Sequence, residues 1–404
     1  MLRFGRDSRT AQPWLRPPRL RTLAEEDAED ERHASWLELF FDLVFVVAIA
    51  ELSHELVVNH TLGGFATFVA LFVPVFVAWQ GFSFYADRFD TDDVLFRVCM
   101  LSAMLAVAAL AVQIPGVAHG ESAGFALAYV AIRVLIVVLN LRAYRHVPLA
   151  RPLVGRYVLA FSSSVVLWTA SLAVPEPWRF VLWGIGLAVD LGVPALIGPR
   201  FVGRVPLHAS HIPERFALFT IIVLGESVVA VALGVAGSDW RLSSAVGAAL
   251  GFLAVACLWW TYFDVGAGLA LAPGPWTAVR FIYTHVPMWA ALTAVAAGVN
   301  LLIEEAGAAS LDAGARWALC GGAAMYLCCV SLIQDATARG ILRTILSVRL
   351  SVVGLLVGLP LLGAGLRPVT FAALMFVVLV ALVAFEVSRN LRPDAHSLPK
   401  TTAE

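Results

Sequence analysis

Five ionisable side chains, Glu38, Asp42, Glu51, His54 and Glu55, crowd one apolar stretch at residues 36–58. An ionisable group at the centre of a bilayer costs about 2.5 to 3.5 kcal/mol on insertion scales, so each must face protein or water and find a partner. At about 100° per residue, Glu38 and Asp42 share a face near one end of a helix, whereas Glu51, His54 and Glu55 lie roughly opposite and nearer the other end. A helix with two polar faces is not tolerated against lipid. It is expected to be central among other helices or to line a wet path, and moving or gating a small ion or solute is the chemistry it offers. Glu51-x-x-His54 has the ligand spacing of di-iron carboxylate bundles, but such sites need a second Glu-x-x-His pair and the sequence holds none, so no metal or other cofactor is expected. His54 reads as a hydrogen-bonded residue near an outer interface and stays among the pathway candidates.

Arg133, Asp190 and Glu226 each lie about eleven residues into their apolar stretches, roughly 16 Å at the helical rise, which puts all three near mid-depth. A lone Arg there needs a carboxylate: Glu226, Asp190 or Glu51. The pair could serve a pathway or simply fix helix register. Gly225, beside Glu226, would permit close helix approach or local unwinding. Asp87, Asp264, Asp335 and Glu386 fall at stretch ends and read as solvated interface groups.

The elements that must position these groups follow from composition. The 404 residues are 60% apolar and 14% charged, with a mean hydropathy of +0.83. Soluble domains carry roughly a quarter charged residues, so a water-soluble enzyme is excluded. A net charge of -1 leaves no basic surface for nucleic acid. Apolar windows recur at 36–58, 63–84, 94–114, 122–142, 154–174, 179–198, 215–236, 243–264, 280–302, 315–335, 345–365 and 368–389, each long enough to cross a hydrocarbon layer of about 30 Å. The fold class is therefore all-α, a polytopic membrane helical bundle of about twelve transmembrane helices. Of the 28 Lys and Arg residues, 23 fall on one side of this layout and four on the other, which places both termini in the cytoplasm.

The layout suggests two halves, 36–198 and 215–389, joined by a linker at 199–214. Leu39-Phe40 has a counterpart in Leu218-Phe219, Tyr85-Ala86-Asp87 in Tyr262-Phe263-Asp264, and late acids occur in the sixth and twelfth windows. Because each half would cross an even number of times, the repeats are expected to be parallel six-helix units. Residues 1–35, basic and then acidic, read as a disordered cytoplasmic tail near anionic lipid, without the apolar core of a signal peptide, and 390–404 as a second tail. The five cysteines all lie in apolar stretches and read as small core residues.

Three segments carry a family resemblance. Ser35-Trp36-Leu37-Glu38-Leu39-Phe40-Phe41-Asp42-Leu43-Val44-Phe45, then Tyr85 to Asp93, then Glu214-Arg215-Phe216 with Thr220 to Ser227, resemble in order the signatures of the bacterial low temperature requirement A family. The family pattern has Asn where this chain has Asp87. The resemblance covers nearly everything after residue 35 and implies a protein of the bacterial inner membrane linked to growth in the cold. The Phe-Phe-Asp entry of the first helix is also similar to the Phe-Ser-Asp entry of potassium channels built from six-helix units. That likeness implies central first and seventh helices with Asp42 as an anchor, although Thr220 or Ile221 stands where the seventh helix would need an acid.

The expected function is a channel or secondary transporter for a small ion or solute, with Glu38, Asp42, Glu51, His54, Arg133, Asp190 and Glu226 on the path. The alternative is a non-transporting membrane adaptation or assembly factor that binds a protein or lipid. GxSxG, HExxH and GxGxxG with supporting context are absent, so no enzyme is expected. Membrane lipid is the expected partner, and homo-oligomerisation is left open.

Overall fold

A computed structural model describes residues 15–21, 34–197, 211–237, 241–264, 271–272, 276–337 and 341–390. Twelve helices of 19 residues or more dominate the described residues: α1 (Trp36–Val58), α2 (Leu62–Arg88), α3 (Val94–Val112), α4 (Ala123–His146), α5 (Arg151–Ser171), α6 (Trp178–Ile197), α7 (His211–Gly237), α8 (Leu242–Phe263), α9 (Thr277–Glu304), α10 (Ala313–Asp335), α11 (Arg343–Leu362) and α12 (Pro368–Asn390). They match the twelve apolar windows one for one. Ten are long and apolar enough to cross a membrane. The first helix falls short on charge rather than length, since any 18-residue window of it holds Asp42, Glu51 and at least one of Glu38 and Glu55.

Local chemistry sets several helix ends. Asp93 caps α3 by accepting from the Phe96 N–H, and Asp312 caps α10 by accepting from the Gly314 N–H, each satisfying a donor that the first turn leaves open. Gly120, between α3 and α4, sits at φ 85°, where a side chain would be strained.

The chain forms two compact units. The first comprises residues 1–51 and 70–215, and the second 52–69 and 216–404. In the first, α4 packs on α3 and α5, and α5 on α6. In the second, α9 packs on α10, α10 on α11, and α8 on α12. Small residues let α9 and α10 approach closely. A Cβ on Gly298 would lie 2.8 Å from the Leu319 backbone nitrogen, and one on Gly322 2.9 Å from the Ala291 carbonyl oxygen.

Part of the stretch expected as a free tail is docked. Two-residue strands β1 (Arg19–Leu20) and β2 (Phe89–Asp90) pair antiparallel in the first unit. Arg21 adds an ion pair of 3.0 Å to Asp90. The Arg16 N–H donates to Asp93, while Arg142 donates to both Asp93 oxygens and to the Arg16 carbonyl. Acidic residues after α2 thus supply the acceptors that fix residues 15–21. Burial alone would raise the Asp93 carboxyl, but Arg142 and the Phe96 and Arg16 N–H groups together hold it below its ordinary value. The remainder of the tail (1–14 and 22–33), residue 198, residues 199–210 of the linker and 391–404 lie outside the described residues.

Candidate functional site

The densest polar cluster among the described residues lies in the first unit, on three helices that each contribute residues one turn apart on one face. The first helix supplies Glu38 and Asp42, α2 supplies Trp79, Ser83 and Asp87, and α7 supplies His211 and Arg215. At its base is a capping box: the Ser35 N–H donates to Glu38 Oε2 at 3.1 Å, and the Glu38 N–H donates to Ser35 Oγ at 3.3 Å. Ser-x-x-Glu before an apolar run is what makes α1 start there, and it fixes the Glu38 carboxylate.

Arg215, 1% exposed, is the hub. Its Nη2 donates to Asp42 Oδ1 at 2.6 Å and to Ser83 Oγ at 3.2 Å, and its Nη1 lies 3.3 Å from Glu38 Oε2. Trp79 Nε1 donates to the same Asp42 oxygen at 2.7 Å, and the Arg215 guanidinium lies 5.9 Å from the Trp79 ring centroid. One turn away, His211 Nδ1 is 2.9 Å from Asp87 Oδ1 and its Nε2 is 3.6 Å from Glu38 Oε2. Asp42 Oδ2 is buried and accepts no hydrogen bond from a described residue. A buried carboxylate oxygen left in this state marks strain or function, because most buried polar atoms are satisfied.

Glu38 also forms part of the wall of a cavity of about 580 Å³. Arg21, Asp90, Asp92 and Arg97 give that cavity a charged lining, Thr91 a polar one, and Trp36, Phe40 and Phe89 an apolar one. The cluster therefore has one carboxylate facing open space and the others inside.

Arg133 has found one of its three expected partners. Its Nη2 lies 2.5 Å from Asp190 Oδ1, while Tyr129 and Ser164 donate to Asp190 Oδ2 at 3.2 and 2.8 Å. The guanidinium carbon sits 4.3 Å from the Phe161 ring centroid. The carboxylate of this pair is closed, with both oxygens satisfied and α4, α5 and α6 each contributing a group, while Arg133 Nε is buried without a hydrogen-bond partner among described residues. The second unit has a similar device. Arg349 donates through Nε and Nη2 to the two Glu386 oxygens at 2.6 and 3.1 Å, and through Nη1 to Gln334 at 3.1 Å.

The model of the bacterial low temperature requirement A protein (LtrA) matches residues 33–384. The chain belongs to that family. This LtrA-family protein is also 29% identical over 297 residues to a protein of Rhizobium meliloti (strain 1021) described as uncharacterized, covering 68% of this chain and 71% of the relative. Family and helices together make it a multi-pass membrane protein.

The remaining expected site residues are scattered. Glu51 is half-buried, and Glu226 is buried in the second unit. His54 is exposed and lines a separate cavity of about 510 Å³ in the second unit, with Arg241, Ser244, Asn300 and Glu304. Two of the four acids read as solvated are not: Asp87 and Glu386 are buried, because His211 and Arg349 meet them at their own depth. Asp335 is solvated as expected, paired at the surface with Arg280. Arg88, Arg215 and Arg349, counted by sequence among the loop cations, are buried helix residues. Sequence reasoning missed the roles of Arg215, His211, Trp79 and Ser83. The one-turn spacing of His211 and Arg215, matched by that of Glu38 and Asp42, was the available signal.

Proposed function

We propose that this protein is a channel or secondary transporter for a small ion or solute, without enzymatic activity, in the bacterial inner membrane with both termini cytoplasmic. The observation that carries the reading is the state of Asp42: buried, held through one oxygen by Arg215 and Trp79, with its other oxygen unpartnered among described residues and its neighbour Glu38 on a cavity wall. A group kept in that condition can exchange partners as an ion or solute passes, and a purely architectural pair gains nothing from it. The two halves at 36–198 and 215–389 are read as parallel repeats. Glu226 is the second-half group placed on the path.

The test is flux through purified protein in liposomes. Flux should fall by about tenfold or more in Asp42→Asn, and also in Glu226→Gln. If neither inorganic ions, protons nor small polar solutes pass through the wild-type protein, the reading is wrong.

The pairs Arg133–Asp190 and Arg349–Glu386, in which both carboxylate oxygens are engaged, favour a second reading. Each locks its helices without opening a route, as suits a membrane adaptation or assembly factor that serves growth at low temperature by holding a protein or lipid. Crosslinking in membranes that retrieved one stoichiometric partner, with no flux in liposomes, would move the assignment there.

A further inference from the structure

We infer that His211 is a proton-binding site, its imidazole held doubly protonated between Asp87 and Glu38 and in exchange with water through Glu38. A neutral imidazole has one N–H, so only one of its nitrogens can donate. Here both nitrogens have a carboxylate oxygen nearby, Nδ1 at hydrogen-bond length, 2.9 Å, from Asp87 and Nε2 at the longer ion-pair distance of 3.6 Å from Glu38. In either neutral tautomer one lone pair would point at a carboxylate. A second proton turns both contacts into attractions.

Among the described residues, the charged groups around the ring come from three helices. Asp87 reaches it from α2, Glu38 from α1, and Arg215 lies one turn along α7, its guanidinium engaged by Asp42 and Glu38. Burial and the N-terminal end of α7 both oppose a cation at this position. Two carboxylates within 3.6 Å, one on each side of the ring, outweigh them.

The route for the proton follows from the cavity. Glu38 lines it, and Glu38 Oε2 is also the atom nearest His211 Nε2. A proton from cavity water reaches the Glu38 carboxylate, passes to Nε2 when the 3.6 Å gap shortens to hydrogen-bond length or is bridged by one water, and returns the same way, with no other bond made or broken. In this scheme Asp87 is a positioning residue. Its carboxylate supplies the anion that keeps the ring charged.

The protonation arm is independent of the transport reading, and the coupling arm rests on it. In the first, the protein carries ¹⁵N-labelled histidine in lipid nanodiscs, and the His211 signals are identified by their loss in His211→Gln. At pH 8 both ring nitrogens should bear protons, and in Asp87→Asn or Glu38→Gln the ring should become neutral by that pH. A wild-type His211 that is a single neutral tautomer at pH 8 overturns the inference, as does a ring that stays charged in both variants. In the second arm, flux in liposomes should follow an imposed pH gradient and lose that response in His211→Gln. Flux indifferent to the gradient would overturn the coupling while the ion-path reading stands. No flux at all would overturn the ion-path reading and leave the proton site to the nitrogen spectra.

Discussion

The Asp42 cluster of the first unit and the Arg349 cluster of the second use the same ingredients to different ends. Both centre on a fully buried Arg that reaches a carboxylate on another helix. Around Arg349 the ledger of partners closes: two donors meet two Glu386 oxygens, and a third meets Gln334. Around Arg215 it does not, since two donors from different helices converge on one Asp42 oxygen and leave the other without a partner among described residues. A closed pair fixes geometry, whereas an open one keeps capacity for something that comes and goes. The second unit also contains a neutral counterpart of the Asp42 node. Trp289 Nε1 donates to Thr220 Oγ1 at 2.8 Å, much as Trp79 donates to Asp42. Where the acid is replaced by Thr220, the indole is still satisfied and the charge is gone.

The largest effect should come from opening the closed pair. Arg349→Met leaves Glu386 buried without its cation and should cost about 3 to 5 kcal/mol, read from thermal unfolding in detergent. The double variant Arg349→Met/Glu386→Leu should recover most of that loss, and failure to recover would mean that the pair does more than hold helices. Next in size is packing in the second unit: Gly322→Val should destabilise by about 1 to 3 kcal/mol, because its added carbons meet the Ala291 carbonyl and Val295.

At the open cluster the expectation reverses. Asp42→Asn retains an acceptor for Arg215 and Trp79, and Glu38, 3.3 Å from Arg215 Nη1, still supplies the buried guanidinium with a counter-ion, so unfolding should change by no more than about 1 kcal/mol while flux collapses. A loss of stability as large as that of Arg349→Met would erase the distinction between the two regions. Ser35→Ala removes one half of the capping box and should cost about 1 kcal/mol through the start of α1 alone.

The smallest effect is expected from pH on the docked segment 15–21. Asp93 has its carboxyl held below the ordinary value, so its stabilising contribution is complete above the unfolded value of about 3.9 and is lost only as pH falls through the folded one. Hydrogen exchange of residues 15–21 should therefore be unchanged from pH 8 to pH 5, after correction for intrinsic rates, and rise only below about pH 4. A rise between pH 7 and pH 6 would point to a histidine instead.

Helix number and placement were legible in the sequence because a run of about 20 apolar residues has few alternatives once charge is low. Side-chain partnership was legible only where depth forced it. Arg133, isolated at mid-span, demanded an acid, and Asp190 at similar depth is what it meets. Arg215 and Arg349 escaped because they lie near helix ends, where hydropathy cannot tell a loop cation from a buried one. Asp87 and Glu386 escaped for the same reason. The docking of residues 15–21 was hidden because a two-residue strand leaves no periodic trace, and its anchors are backbone groups and an acid 70 or so residues away.

Glu38 holds two posts at once: it closes the first turn of α1 with Ser35, and it stands between the cavity and the buried Arg215. Mutational scans scored by growth will therefore record any damage at this position as one number, although two separate failures feed it. Gln in its place would keep the turn and surrender the charge, so that single exchange separates assembly from operation more cleanly than alanine can.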